Sequence, residues 1–217
     1  MEDRPDVGAT GPKLSSMGPS LIDRSFVYHL LLRDAPWCTS HGAQTQDGFL
    51  GAGLLYYTIT YMLKARFAVC LGSGGGFVSR LMRQAQRDLG LSDARTVLVD
   101  GNLPQRGWGS PNWLDADSFF RNEYPDIEIV MQTTLQAAVG FDVIDYLHID
   151  ADHSYEGCHA DVHAYWPHLK SGSVVTLHDT QWPGAGVNRV IDELRLRSDC
   201  EVLDFPIAAG TAVVRVR

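Results

Sequence analysis

The sequence has few cysteines and few basic residues, and each shortage argues against a class of protein. Its four cysteines, in a chain of 217 residues, lie far apart and form no C-x-x-C pair. This spacing argues against a disulfide framework or a zinc knuckle and favours a reducing compartment. Only 18 Lys and Arg stand against 26 Asp and Glu, a formal net charge of −8 at pH 7. A nucleic-acid partner is therefore not expected, because proteins that bind one normally carry a basic face.

The sequence also lacks an apolar run long enough to cross a membrane. A charge-free stretch at residues 48–63 is bracketed by Asp47 and Lys64 and is shorter than the roughly 20 residues that a bilayer requires. We interpret it as a buried helix, and we expect a cytoplasmic protein without a membrane partner. Residues 1–20 are rich in Gly, Pro and Ser and have no apolar core, which predicts a flexible tail rather than a signal peptide.

Short apolar runs alternate with amphipathic stretches from residue 67 onward. Seven runs have the length of strands, at residues 67–71, 96–99, 127–131, 143–149, 173–177, 201–205 and 211–216. Helical spacing predicts helices at 21–32, 49–65, 77–89, 155–169 and 187–196, with Lys170-Ser171-Gly172 as the stop signal of the fourth. The alternation predicts an α/β fold with a mostly parallel sheet and helices on both faces. The last two strands, joined by a short link, predict an antiparallel hairpin at the sheet edge.

A glycine-rich turn follows the first predicted strand and reads Gly72-Ser73-Gly74-Gly75-Gly76. Glycines permit a tight turn and let a ligand approach the backbone, and the next helix N-terminus offers unpaired N–H groups. Asp100 ends the second strand, where an acidic side chain can accept hydrogen bonds from ribose hydroxyls. These features predict a nucleoside site, and an ordinary turn is the structural alternative for each.

The glycine spacing argues against two common nucleotide sites. Phe77 stands where a dinucleotide fingerprint needs its third glycine, and no Gly-Lys-Ser/Thr triplet of a P-loop occurs. Gly72-x-Gly74-x-Gly76 instead resembles motif I of class I S-adenosylmethionine-dependent methyltransferases. The terminal strand pair is similar to the hairpin that closes their Rossmann-like, seven-stranded sheet. The resemblance implies one methyltransferase domain at residues 21–217, with a helical N-terminal cap (21–66) and a Rossmann-like core (67–217). It also implies S-adenosylmethionine as the cofactor, with contacts from Gly72, Ser73, Gly74, Gly76, Asp100 and Asp150. Gln132 and Thr133 follow the third strand and are candidates to contact its adenine, with an ordinary polar strand end as the alternative.

Acidic and imidazole side chains follow the fourth and fifth predicted strands. The fourth ends in His148-Ile149-Asp150-Ala151-Asp152-His153 and the fifth in His178-Asp179-Thr180. Adjacent parallel strands lie about 4.8 Å apart, so these groups would share one crevice. Their charges would shift one another's pKa unless a cation or a substrate compensates. Two carboxylates with further oxygen ligands suit a hard divalent ion such as Mg²⁺.

These two segments resemble the macrocin and cephalosporin-hydroxylase-like branch of O-methyltransferases, in which Asp-x-Asp-His-Ser-Tyr-Glu and a downstream His-Asp-Thr recur. The resemblance implies Asp150 and Asp179 as ligands of Mg²⁺ or another divalent cation, with His178 or Thr180 as the third ligand. His153 is the predicted general base, because a near-neutral pKa suits removal of a hydroxyl proton. Asp152 is the second candidate base, and helix capping is its structural alternative.

Together these features predict an S-adenosylmethionine-dependent, Mg²⁺-assisted O-methyltransferase that acts on a hydroxyl of a small molecule, such as a sugar or another natural product. The aromatic-rich loop at 101–124 would be a lid or a packed loop, and the polar segment at 37–47 would be a second wall of the acceptor pocket. Two alternatives stay open. One is a metal-dependent hydrolase. The other is a non-catalytic cofactor-binding module, because the acidic residue that usually begins motif I is absent around Cys70. The sequence leaves the oligomeric state open, a homo-oligomer included.

Overall fold

The computed structural model describes residues 23–35, 37–72, 75–101 and 118–217 of the chain. The predicted tail at residues 1–20 therefore lies outside the described residues, as do Ser73, Gly74 and most of the loop between residues 101 and 124. Within the described residues, no helix is long and apolar enough to cross a membrane.

A seven-stranded sheet organises the described residues. Its strands are β1 Phe67–Leu71, β2 Arg95–Val99, β3 Ile127–Val130, β4 Ile144–Ile149, β5 Leu169–His178, β6 Cys200–Phe205 and β7 Thr211–Val216. They lie side by side in the order β3-β2-β1-β4-β5-β7-β6. Strands β1 to β5 pair in parallel, and β7 runs antiparallel to both β5 and β6. The predicted mostly parallel sheet with an antiparallel edge hairpin is confirmed.

Helices cover both faces of this sheet, as predicted. The α-helices are α1 Arg24–Phe26, α2 Gly53–Leu63, α3 Phe77–Asp88, α4 Phe119–Glu123, α5 Thr134–Ala138, α6 Tyr155–Tyr165 and α7 Val187–Arg195. Alternate strand residues point to opposite faces. Ala68 and Cys70 of β1 accordingly lie in the core beneath α2 and α3, whereas Val69 and Leu71 lie in the core beneath α5, α6 and α7.

The strand order reverses between β1 and β4, and this reversal positions the site. Strand β2 lies on one side of β1 and β4 lies on the other. In open parallel sheets, ligands bind beyond the carboxyl ends of the strands at such a switch point. Gly72 follows β1 and Asp150 follows β4 at this point, and the N–H of Asp150 donates to the carbonyl of Leu71 at 2.9 Å.

Several predicted element boundaries were wrong. The predicted helix at 155–169 is α-helical only to Tyr165 and continues as a 3₁₀ turn over Trp166–His168, because Pro167 has no N–H to extend the helical ladder. The Lys170-Ser171-Gly172 segment, predicted as its stop signal, belongs to β5. The described part of the predicted helix at 21–32 is α1 followed by a π-helix at Val27–Leu32.

The predicted helix at 49–65 begins later, at Gly53, because Phe49 pairs with Gln44 in an isolated bridge. It ends at Leu63, since Lys64 adopts a left-handed conformation.

Candidate active site

The turn after β1 needs glycine for a steric reason. Gly72 has φ +64°, and a Cβ placed there would lie 2.3 Å from the carbonyl oxygen of Asp150. Gly76, the residue before α3, has φ +74°, and its Cβ would lie 2.5 Å from the ring of Phe120. Both positions combine a backbone conformation that disfavours side chains with a neighbour too close for one. Gly72 is thus crowded by the residue that follows β4, and Gly76 is crowded by α4.

The predicted nucleoside-binding residues lie along the same edge of the sheet. Asp100 follows β2, and its N–H donates to the carbonyl of Val130 in the neighbouring β3 at 3.1 Å. Gln132 is exposed beyond β3. Thr133 begins α5, and its hydroxyl accepts a hydrogen bond from the N–H of Gln136 in a capping box. Because the Thr133 hydroxyl caps α5, it is the backbone near Thr133 that can face a ligand.

The ends of β4 and β5 bring carboxylates and imidazoles together. Asp150 Oδ1 lies 3.2 Å from His153 Nε2 and 3.3 Å from His178 Nδ1. Asp179 Oδ2 lies 2.7 Å from the same nitrogen of His153 and 3.3 Å from His178 Nδ1. Two carboxylates thus share two imidazoles, in the crevice where the sequence predicted that these residues would meet.

A fifth residue, His41, enters this group from the N-terminal segment. Its Nε2 lies 3.6 Å from Asp150 Oδ2, and its ring contacts that of His178, with centroids 3.9 Å apart and ring planes tilted by 33°. We refer to His41, Asp150, His153, His178 and Asp179 as the acid–imidazole cluster. The segment at 37–47 was predicted only as a wall of the acceptor pocket, and His41 itself was assigned no role, because no local pattern marks it.

Local structure fixes the position of His41. It ends a 3₁₀ turn, Cys38–His41, and the left-handed Gly42 follows it. Its carbonyl accepts a hydrogen bond from the N–H of Ala52 at 2.8 Å. A Cβ on the left-handed Gly51 would lie 2.4 Å from the same carbonyl oxygen, so the backbone at Gly51 packs directly against the backbone at His41. These contacts hold the imidazole over the ends of β4 and β5.

The charges of the cluster oppose the effect of burial. Burial disfavours ionised Asp150, but the charge of His178 and hydrogen bonds from the surrounding imidazoles outweigh it and hold the pKa of Asp150 well below its usual value. Burial likewise lowers the pKa of His178 and of His153, but the two carboxylates outweigh it. They raise the pKa of His178 to about 10 and that of His153 to about 9. Burial dominates at His41 and lowers its pKa well below the usual value. At neutral pH, two carboxylates therefore face two imidazolium ions and one neutral imidazole.

Thr180 and Asp152, two further predicted site residues, point elsewhere. The hydroxyl of Thr180 donates to Asp204 in β6 at 2.8 Å, so it is directed away from the cluster. Asp152 is exposed and accepts a hydrogen bond from the N–H of Ser154, the N-cap residue of α6. A Cβ on Gly157 would lie 2.3 Å from Asp152 Cγ, so this carboxylate lies over the first turn of α6.

The cluster offers two sets of atoms that could hold a cation. Ligand atoms of His41, Asp150 and His178 lie within 4.8 Å of one another, and so do those of Asp150, His153 and Asp179. Asp179 has φ +61°, an unfavourable conformation for a non-glycine residue. This strained residue places its carboxylate in the cluster, in contact with His153 and His178.

Comparisons with known proteins agree with this architecture. The family model described as a methyltransferase domain matches residues 69–180. An O-methyltransferase from Bacillus cereus, in complex with S-adenosylhomocysteine, is 13% identical with a TM-score of 0.65 over 91% of this chain and 93% of that one. The O-methyltransferase TomG from Streptomyces achromogenes, in complex with S-adenosylmethionine, is 16% identical with a TM-score of 0.60 over 89% and 95%. A comparison with curated proteins gives no match.

The matched segment, residues 69–180, is more than half of the chain. It begins within β1 and ends just after β5, so it contains the glycine turn and four members of the acid–imidazole cluster. The chain therefore belongs to the methyltransferase domain family and is a class I S-adenosylmethionine-dependent methyltransferase.

Proposed function

We propose that this enzyme transfers a methyl group to a hydroxyl oxygen of a small molecule, such as a sugar or another natural product. One observation carries the proposal: the carbonyl of Asp150 packs against Gly72, while the Asp150 carboxylate belongs to the acid–imidazole cluster. A cofactor bound at the glycine turn and a proton acceptor in the cluster would thus both lie close to Asp150.

The residues after β1, β2 and β3 fit S-adenosylmethionine. Gly72 and Gly76 carry no side chains, and α3 begins directly after Gly76, so the unpaired N–H groups of its first turn are available to a ligand. Asp100 stands where a carboxylate would accept hydrogen bonds from ribose hydroxyls. When bound, S-adenosylmethionine supplies a methyl group on a positively charged sulfur, which is already activated for displacement.

The chain's own residues would orient the acceptor and remove its proton. The hydroxyl oxygen forms a bond to the methyl carbon, the carbon–sulfur bond breaks with its electron pair on sulfur, and the hydroxyl proton passes to His153 Nδ1. This is the ring nitrogen opposite Nε2, which faces the two carboxylates. His153 is the proposed base because its side chain is 21% exposed and its ring contacts Trp182 at a centroid distance of 5.1 Å. Trp182 is 38% exposed and offers an apolar wall for the acceptor.

His153 must be neutral before it can accept a proton. The two carboxylates raise its pKa to about 9, so they hold it protonated at neutral pH. A divalent cation bound in the acid–imidazole cluster, at Asp150, would oppose this effect, since a nearby positive charge lowers the pKa of an imidazole. We include such a cation in the proposal, and Mg²⁺ is the ion that the sequence resemblance implies. However, three imidazoles beside two carboxylates fit Mg²⁺ poorly, because this ion prefers oxygen ligands and retained waters.

Similar solved structures support hydroxyl methylation. The Bacillus cereus and Streptomyces achromogenes proteins are both described as O-methyltransferases, and the second is described as involved in tomaymycin synthesis. The alternative of a metal-dependent hydrolase is not favoured, since it leaves the glycine turn and Asp100 without a role. A cytoplasmic location, a homo-oligomer and the lack of a nucleic-acid partner stay predictions from the sequence.

A methyl-transfer assay tests the proposal. The protein is incubated with S-adenosylmethionine and a panel of phenols, sugars and aliphatic alcohols, and S-adenosylhomocysteine release is measured. We expect turnover with at least one hydroxyl class, and a fall of about 10² or more in His153→Gln, as for loss of a general base. His163→Gln, at an exposed position of α6, is the matched control. Turnover confined to amine or thiol acceptors, or unchanged in His153→Gln, would refute the proposal.

A further inference from the structure

We propose that the acid–imidazole cluster binds a transition-metal ion of the zinc type, through His41, Asp150 and His178, in preference to Mg²⁺. The proposal concerns the same site as the proposed function and rests on it for its role in catalysis. It goes beyond that function in naming the class of ion and in assigning a ligand from the N-terminal segment.

The donor atoms carry the first step of the argument. Two imidazoles and one carboxylate offer ligand atoms that all lie within 4.8 Å of one another. Imidazole nitrogen suits zinc and its neighbours in the transition series, whereas Mg²⁺ is bound by oxygen. Catalytic zinc sites commonly use three protein ligands and leave a fourth position open. The set formed by His41, Asp150 and His178 has this composition.

The surroundings of His41 orient it as a metal ligand. Its Nδ1 lies 3.0 Å from the hydroxyl of Tyr56, which lies 3.0 Å from the hydroxyl of Thr211. Both hydrogen bonds form when His41 Nδ1–H donates to the Tyr56 hydroxyl and that hydroxyl donates to Thr211. Nε2 then keeps its lone pair and faces Asp150 Oδ2 at 3.6 Å. Metal-binding histidines characteristically donate the N–H of their second ring nitrogen to a hydrogen-bond acceptor.

Buried imidazole nitrogens without partners are the second, independent observation. Within the described residues, His178 Nε2 and His148 Nε2 are both buried and have no hydrogen-bond partner. Their side chains are 2% and 0% exposed, and His148 Nε2 lies 3.8 Å from Asp150 Oδ2. Burying a polar atom without a hydrogen bond costs free energy. A metal ion bound to one of these nitrogens would remove that cost.

Metal binding to the whole protein tests this inference. Protein stripped with a chelator is titrated with Zn²⁺, Co²⁺ and Mg²⁺, with bound metal measured by elemental analysis and affinity by competition with a chromophoric chelator. We expect one Zn²⁺ per chain, and a visible Co²⁺ spectrum of low coordination number. We also expect a preference for Zn²⁺ over Mg²⁺ of about tenfold or more, in line with the imidazole content.

Variants identify the ligands. We expect His41→Gln to weaken Zn²⁺ binding at least as much as loss of an outer-shell partner, about 10- to 100-fold, and Tyr56→Phe to weaken it within that range. His163→Gln is the control and should bind as the wild-type protein does. The wild-type protein alone tests the choice of ion. If it binds Mg²⁺ as tightly as Zn²⁺, the inference is overturned. Unchanged Zn²⁺ affinity in a folded His41→Gln protein would overturn the role of His41.

The same preparations are titrated with S-adenosylhomocysteine, which separates this inference from the proposed function. Cofactor binding without a preference for Zn²⁺ refutes the metal inference and leaves methyl transfer in place. Preference for Zn²⁺ without cofactor binding refutes the proposed function and leaves the metal site.

Discussion

The contact between Gly72 and Asp150 makes a quantitative prediction about stability. Gly72 and Gly90 have nearly the same positive φ angle, +64° and +67°. A Cβ at Gly72 would lie 2.3 Å from the Asp150 carbonyl oxygen, whereas a Cβ at Gly90 would meet nothing within 4 Å. The two positions therefore separate the cost of a left-handed conformation from the cost of a steric clash.

The left-handed conformation costs an alanine about 1–2 kcal/mol at either position. The clash at Gly72 adds about 1–3 kcal/mol, typical of overpacking, because the oxygen belongs to backbone between β4 and α6 and cannot rotate away. We expect the free energy of unfolding to fall by about 1–2 kcal/mol in Gly90→Ala and by about 2–5 kcal/mol in Gly72→Ala.

Urea unfolding followed by circular dichroism measures both values under the same conditions. Cofactor titration provides a second readout, in which Gly90→Ala should bind S-adenosylhomocysteine as the wild-type protein does and Gly72→Ala should bind it more weakly. Equal losses of stability in the two variants, with equal cofactor affinity, would show that the close approach of Asp150 to Gly72 has no consequence.

Two further predictions concern buried charged residues outside the cluster. Burial raises the pKa of Asp161 to about 6. The folded state therefore holds its proton more tightly than the unfolded state, and stability should fall as the pH rises from about 4 to about 6, by up to about 3 kcal/mol. Asp161→Asn should reduce this fall in urea unfolding at pH 4.5 and 7, and an identical pH dependence would contradict the prediction. The fully buried Arg80 donates to the carbonyls of Arg33, Asp34 and Gly75. Arg80→Met should therefore lower the free energy of unfolding by about 2–4 kcal/mol, since it leaves three carbonyls unpaired. A change within measurement error would show that these hydrogen bonds do not stabilise the fold.

The sequence predicted the sheet well because its signals are local. Buried strands such as β1 are short apolar runs between polar segments, and the observed bounds of Phe67–Leu71 match the predicted ones. The end of α6 was predicted poorly, since Lys170-Ser171-Gly172 has the composition of a helix stop. That segment instead enters β5, whose register beside β4 contains an irregularity near Tyr146. Pairing across strands, which the local composition does not encode, decided where β5 begins.

The same distinction holds at the candidate site. The meeting of Asp150 with His178 follows from strand ends that are adjacent in a parallel sheet, so a sequence pattern could anticipate it. His41 reaches the cluster only through the packing of its loop on Tyr56 and Ala52. The direction of the Thr180 hydroxyl depends on Asp204, 24 residues farther along the chain. Neither contact leaves a periodic signal in the sequence.

Calorimetric titration of the wild-type protein with S-adenosylhomocysteine tests the central claim most directly. We expect binding at one site per chain, and an affinity lower by about tenfold or more in Asp100→Ala, which removes a charged hydrogen-bond acceptor. No binding by folded wild-type protein, with or without added Zn²⁺ or Mg²⁺, would contradict the assignment of the Gly72 turn and Asp100 to the cofactor.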